Sequence, residues 1–153
     1  MNTMDAASQL TLFACGIFFL LGLLTGVWKY LVIWRSPISE APRYVNVAHQ
    51  TSLLYSFAAL VLLKFLEFSP YSETVNMIAV AFPLFFFSVA IVTYSIHGIL
   101  RDTDNQFQKP YRLGKLYIPP LVFHFLIWLL IASEIGGFLV LFAGYLRVLL
   151  VVP

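Results

Sequence analysis

Four long apolar runs, separated by three shorter polar connections, set the pattern of this chain. They run from about Gln9 to Trp34, Tyr44 to Phe68, Thr74 to Leu100 and Tyr117 to Leu150. Each exceeds the roughly 20 residues that a helix needs to cross the hydrocarbon of a bilayer. None alternates apolar and polar positions, as transmembrane strands do. The pattern predicts an all-α fold: a polytopic membrane protein, a four-transmembrane-helix bundle, with residues 1–153 as a single domain.

The connections carry the punctuation. Pro37 to Pro42 links the first two spans, and Ser69-Pro70-Tyr71-Ser72 is a turn. Pro83 lies in the first third of the third span, where a missing N–H predicts a kink. The polar segment 101–116 follows, and Pro119-Pro120 suits the first turn of the fourth helix. Glu134, Gly136 and Gly137 interrupt that last run. A helical break there and one long helix are both open, and the helix-forming sequence resuming at Phe138 favours one long helix. Gly22 and Gly26 form a Gly-x-x-x-Gly pair that lets another backbone approach, within the bundle or in a dimer. Trp28, Tyr30 and Trp34 read as an interfacial aromatic belt.

Composition narrows the class further. The chain is 61% hydrophobic and only 10% charged, too little charge to cover a soluble domain. A net charge of +2 without a basic run gives no footprint for nucleic acid. The single cysteine, Cys15, can form no internal disulfide. No basic residue precedes the first apolar run, which is also too long for a signal-peptide core, so it reads as a retained helix. Basic residues are asymmetric. Lys29, Arg35, Arg43, Arg101, Lys109, Arg112 and Lys115 lie at one end of the expected bundle, Lys64 and Arg147 at the other. The positive-inside rule then puts the 101–116 loop in the cytoplasm, with both termini on the outer side of a cell inner membrane.

Candidate chemistry rests on three histidines. Alternating helix directions bring His49, His97 and His124 to the same end of the bundle. All three lie within roughly 10 Å of the inner interface. Imidazole is a common ligand of haem iron and of many transition metals, and it is costly when turned toward lipid. The bland alternative is an interfacial imidazole bonded to water or headgroups. Asn46, His49, Ser52, Leu53 and Ser56 share one helical face, and Thr93, Tyr94, His97 and Arg101 share another. His124, beside Tyr117 and Trp128, looks interfacial. Glu134 is the one acid clearly inside a span, a functional candidate or a residue at the outer interface. The phenylalanines from Phe82 to Phe87 read as lipid-facing and core packing. No nucleotide loop, nucleophile elbow or covalent haem motif is present.

Two stretches carry a resemblance. Gly16-Ile17-Phe18-Phe19-Leu20-Leu21-Gly22-Leu23-Leu24-Thr25-Gly26 resembles the first helix of hydroxylaminobenzene mutase and its relatives, and Ala48-His49 after a proline-containing loop resembles the Ala-His pair that opens their second helix. The same pair occurs in styrene oxide isomerase. The resemblance covers roughly residues 16–101, and the spacing from Gly26 to His49 is its most specific part. It implies a four-helix membrane protein that assembles as a trimer and holds haem b between subunits. His49 stands where the isomerase has its axial iron ligand, and Tyr94 stands loosely where it has a substrate-facing tyrosine. One position departs: both relatives have a substrate-contacting asparagine six residues after the histidine, and here that residue is Tyr55.

The leading expectation is a haem b protein with His49 on the iron. It would rearrange a small hydrophobic epoxide or hydroxylamine by Lewis-acid catalysis, with Tyr94 and Tyr55 orienting the substrate. Two alternatives stay open. His97 could close the sixth position, giving a bis-histidine electron-transfer subunit of a larger membrane complex. Without a cofactor, the chain would be an accessory or scaffold subunit.

Overall fold

The computed structural model describes residues 4–151. It has four helices: α1 (Ala6–Arg35), α2 (Arg43–Leu66), α3 (Glu73–Leu100) and α4 (Pro120–Val151). All four are long and apolar enough to cross a membrane, as expected of a multi-pass membrane protein. The observed limits fall within a few residues of those read from hydropathy, because polar caps coincide with the ends of the apolar runs. Asp5 caps α1 by accepting from the Ser8 amide at 2.7 Å, and Ser72 caps α3.

The last helix runs unbroken through Glu134, Gly136 and Gly137. Gly137 explains why a glycine belongs there. A Cβ at that position would meet the Ala79 carbonyl oxygen and stand 2.6 Å from Cγ of Pro83, so α4 crosses α3 backbone to backbone. Gly136, one residue earlier, faces open space. α3 is the central helix, with half of its most apolar window buried. α4 is peripheral, with 11% of its window buried, and its outer face presents Phe125, Trp128 and Leu139. In lipid such a face costs nothing.

The core runs along the α1–α2–α3 contact through Ala14, Phe18, Ala59, Leu62, Val80, Phe87 and Ile91. The phenylalanine-rich segment divides as expected, Phe82 and Phe85 facing outward and Phe86 and Phe87 buried. Of the residues expected in the aromatic belt, Tyr30 and Trp34 are 64% and 71% exposed. Trp28 differs: its ring packs on Gly98 of α3, which leaves no room for a Cβ.

The polar loop after α3 is not featureless. Arg112–Leu113 (β1) pairs antiparallel with Leu116–Tyr117 (β2), and Gly114, at φ 60°, makes the tight turn between them. Tyr111, 4% exposed, stacks on Phe123 of α4 at 4.1 Å and anchors this small hairpin.

Candidate functional site

The polar face of α2 is its contact with α1. Ser56 Oγ donates to the Cys15 carbonyl at 3.1 Å, and Cys15 Sγ approaches the Ser56 carbonyl at 3.3 Å. Two turns earlier, His49 Nδ1 lies 2.9 Å from the Gly22 carbonyl oxygen. A carbonyl only accepts, so this bond puts the proton on Nδ1 and leaves the Nε2 lone pair bare. Among the described residues no hydrogen-bond partner meets Nε2, and no buried side-chain nitrogen or oxygen lacks a partner. Nε2 therefore opens to the surface of the helix pair rather than into the core.

The two glycines of α1 make room for this. A Cβ on Gly26 would lie 2.9 Å from Cε1 of His49, and one on Gly22 would collide with Leu53. Gly22-x-x-x-Gly26 is thus the seat of the α2 histidine and of Leu53 within one chain. Thr25, bonding back to the Leu21 carbonyl at 2.7 Å, keeps its own hydroxyl satisfied on the same buried face.

His97 has different surroundings. It is 2% exposed, its ring packs on Tyr44 at 4.8 Å, and Nδ1 meets Asp102 Oδ1 at 2.7 Å. The other oxygen of Asp102 accepts from the Gly114 amide, so one carboxylate ties the end of α3 to the hairpin turn. Partial burial pushes the Asp102 carboxyl up, but the bonds from His97 and Gly114 outweigh it and hold it below its ordinary value. Tyr44 extends the tie, its hydroxyl accepting from the Gln106 amide at 2.7 Å. His124 is exposed on α4 and shares a 3.1 Å bond with the Tyr111 hydroxyl.

The three histidines therefore lie at one end of the bundle, each with its own partner on a different seam. Among the described residues no three His, Cys, Asp or Glu side chains gather as a metal-binding group. Haem needs only one or two axial ligands from the protein, so this does not bear on it.

Tyr55 belongs to another face of α2, and Tyr94 to the cluster around Tyr44. Tyr55 stacks on Phe87 of α3 at 4.0 Å and donates a long bond, 3.4 Å, to Oε1 of Glu134. Tyr94 stacks on Tyr44 at 5.8 Å, against the same ring that His97 packs on. Glu134 sits near the middle of its 32-residue helix rather than at an interface. It lines a groove of about 320 Å³ with Leu54, Phe57, Pro83, Phe87 and Phe138. Six residues separate His49 from Tyr55, a rotation of about 120° around the helix, so the two project on different sides of α2. The structure joins Tyr55 to Glu134 and turns Tyr55 about 120° around α2 from His49.

Sequence reasoning missed Asp102, Tyr44, Tyr111 and the Gly22 carbonyl. Asp102 gave one faint signal, an acid five residues beyond His97 and just past the helix end. The Gly22 carbonyl gave none. Compared with protein-family models, with curated proteins and with solved structures, the chain finds no match.

Proposed function

We propose that this chain is a haem b protein of the inner membrane, with His49 Nε2 as axial ligand, acting as an isomerase or mutase on a small hydrophobic epoxide or hydroxylamine. The observation that carries the reading is the contact of His49 Nδ1 with the Gly22 carbonyl at 2.9 Å. Histidines that ligate metals almost always donate their other ring N–H to a carbonyl or carboxylate, which orients the ring and makes the ligating nitrogen more basic. His49 has that arrangement, through Gly22, with the opposite nitrogen accessible. The resemblance of residues 16–49 to the mutase and isomerase helices supports the same assignment independently.

A haem held at this nitrogen would supply Lewis-acid chemistry toward an epoxide or hydroxylamine oxygen. The chain's own part is positioning. Gly22 holds the imidazole, and Gly26 leaves the space it occupies. Tyr55 and Tyr94 offer hydroxyl donors beside apolar walls from Phe57, Phe87 and Phe138 that keep water from the reacting carbons. Tyr55 projects about 120° around α2 from His49, so it would serve the iron of a neighbouring copy, which makes a homo-oligomer, here a trimer, part of the reading. His97 has a similar bond to Asp102 but is 2% exposed beneath Tyr44, which favours a role in ordering the loop. The basic end, with the 101–116 loop, faces the cytoplasm, and both termini lie outside.

An optical spectrum of the purified protein, expressed with haem supplied, tests the assignment. A Soret band that disappears in His49→Ala and returns partly when that variant is given free imidazole is the expected result. Colourless wild-type protein, or an unchanged band in His49→Ala, removes it. Colourless protein would leave the accessory-subunit reading standing.

A further inference from the structure

Three helix ends that are distant in sequence bring three guanidinium groups around one cavity. Arg35 is the last residue of α1, Arg43 the first of α2, and Arg101 the residue that caps α3. They line an open cavity of about 550 Å³ together with Ile38, Glu40 and Asp104. None of the three arginines forms a salt bridge among the described residues, although two carboxylates line the same space. Arg101 is held there by its backbone. It adopts the left-handed conformation, φ 51°, and its amide donates to the His97 carbonyl at 2.8 Å. That conformation disfavours a side chain by sterics, so a bulky residue needs a reason to be there.

The neighbourhood adds more. α2 begins after Pro42 without a side-chain cap and without an acid in its first turn, so its partial positive end faces the same region unneutralised. Ile38 and Trp34 beside it are 74% and 71% exposed. A cavity with cations at one level and bare apolar side chains next to them matches a molecule with an anionic head and hydrocarbon tails. Helix ends also place it at the depth of the lipid headgroups.

We infer that Arg35, Arg43 and Arg101 form a binding site for the headgroup phosphate of an anionic phospholipid. The guanidinium fork suits phosphate oxygens with two parallel bonds, which lysine cannot supply. Glu40 and Asp104 tune the site by limiting its net positive charge, which selects one lipid rather than a diffuse anionic layer. The inference stands apart from haem binding and survives its failure.

The test is native mass spectrometry of the full chain released from detergent containing equal amounts of phosphatidylglycerol and phosphatidylcholine. Wild type retains phosphatidylglycerol roughly five-fold over phosphatidylcholine, the size expected when three basic groups near a membrane surface are offset by two carboxylates. The triple variant Arg35→Gln, Arg43→Gln, Arg101→Gln loses that preference, while Lys109→Gln with Lys115→Gln, outside the cavity, keeps it. Glu40→Gln with Asp104→Asn strengthens retention, a gain that poor folding cannot mimic. Equal retention of the two lipids by wild type, or a preference unchanged in both cavity variants, overturns the inference. Displacement of the lipid by millimolar inorganic phosphate overturns the lipid assignment in favour of a soluble phosphate.

Discussion

A single added methyl group separates the roles of neighbouring glycines in α1. At Gly26 it would press on the His49 ring at 2.9 Å, and at Gly16 it would meet nothing within 4 Å. Alanine favours a helix over glycine by about 1 kcal/mol, so Gly16→Ala raises thermal stability in micelles or leaves it unchanged. Gly26→Ala loses about 1 kcal/mol net, since overpacking outweighs propensity, and moves the imidazole off its carbonyl. Its Soret band is therefore expected to shift or weaken while that of Gly16→Ala stays as in wild type. Equal spectra for both variants would detach Gly26 from the histidine. The sequence offered the glycine pair and the histidine separately. Their meeting depends on helix register, which no periodicity within α1 or α2 encodes.

Asp102 sets a second residue-scale expectation. Its carboxyl titrates below the ordinary 3.8 when folded, so its tie to His97 and Gly114 stabilises the loop above the unfolded value. The contribution is complete near neutral pH and is lost as pH falls through the lowered folded value. Amide exchange in the 101–116 segment, corrected for intrinsic pH dependence, should be flat from pH 7 to 5 and accelerate only in stronger acid. Asp102→Asn should show roughly ten-fold faster exchange there already at neutral pH, as expected for a lost charge-assisted bond. Protection in the variant equal to wild type would mean that the hairpin and Tyr111 alone order the loop.

At the scale of elements, hydropathy located all four helices because lipid imposes one rule on every spanning segment: each backbone group must be bonded within the helix. It could not give the packing. The α3–α4 crossing shows why, since Gly136 and Gly137 look equivalent in sequence and only the second touches α3. Gly137→Ala would drive a methyl group into the Ala79 carbonyl, a backbone atom that cannot rotate away. It is expected to cost about 2–3 kcal/mol, read as easier unfolding in mixed micelles, whereas Gly136→Ala costs nothing measurable. Matching losses in the two would place the α3–α4 contact elsewhere. The hairpin in the polar loop was equally illegible: two residues per strand are too few to leave an alternating pattern.

At the scale of the molecule, the polar groups inside the bundle divide between two exits. His49 Nε2 opens from the α1–α2 seam, and the Tyr55–Glu134 groove opens between α2 and α4. In the proposed assembly, faces about 120° apart around α2 would join copies head to tail, and such contacts close into a ring when the rotation allows. In a ring of three, the imidazole of one copy would stand against the groove of the next, so that neither chain alone would contain a whole pocket. Mixed assemblies test this directly. His49→Ala is expected to lose haem, and Tyr55→Phe combined with Glu134→Gln removes the Tyr55–Glu134 bond beside the groove. Each variant alone should be inactive toward a small hydrophobic epoxide. Co-expressed with different tags and purified through both, they should regain activity, because haem on the groove-variant copy faces the intact groove of the His49→Ala copy. Mixtures as inactive as their parents would mean that histidine and tyrosines must work within one chain, and the 120° between them around α2 would then have no role in catalysis.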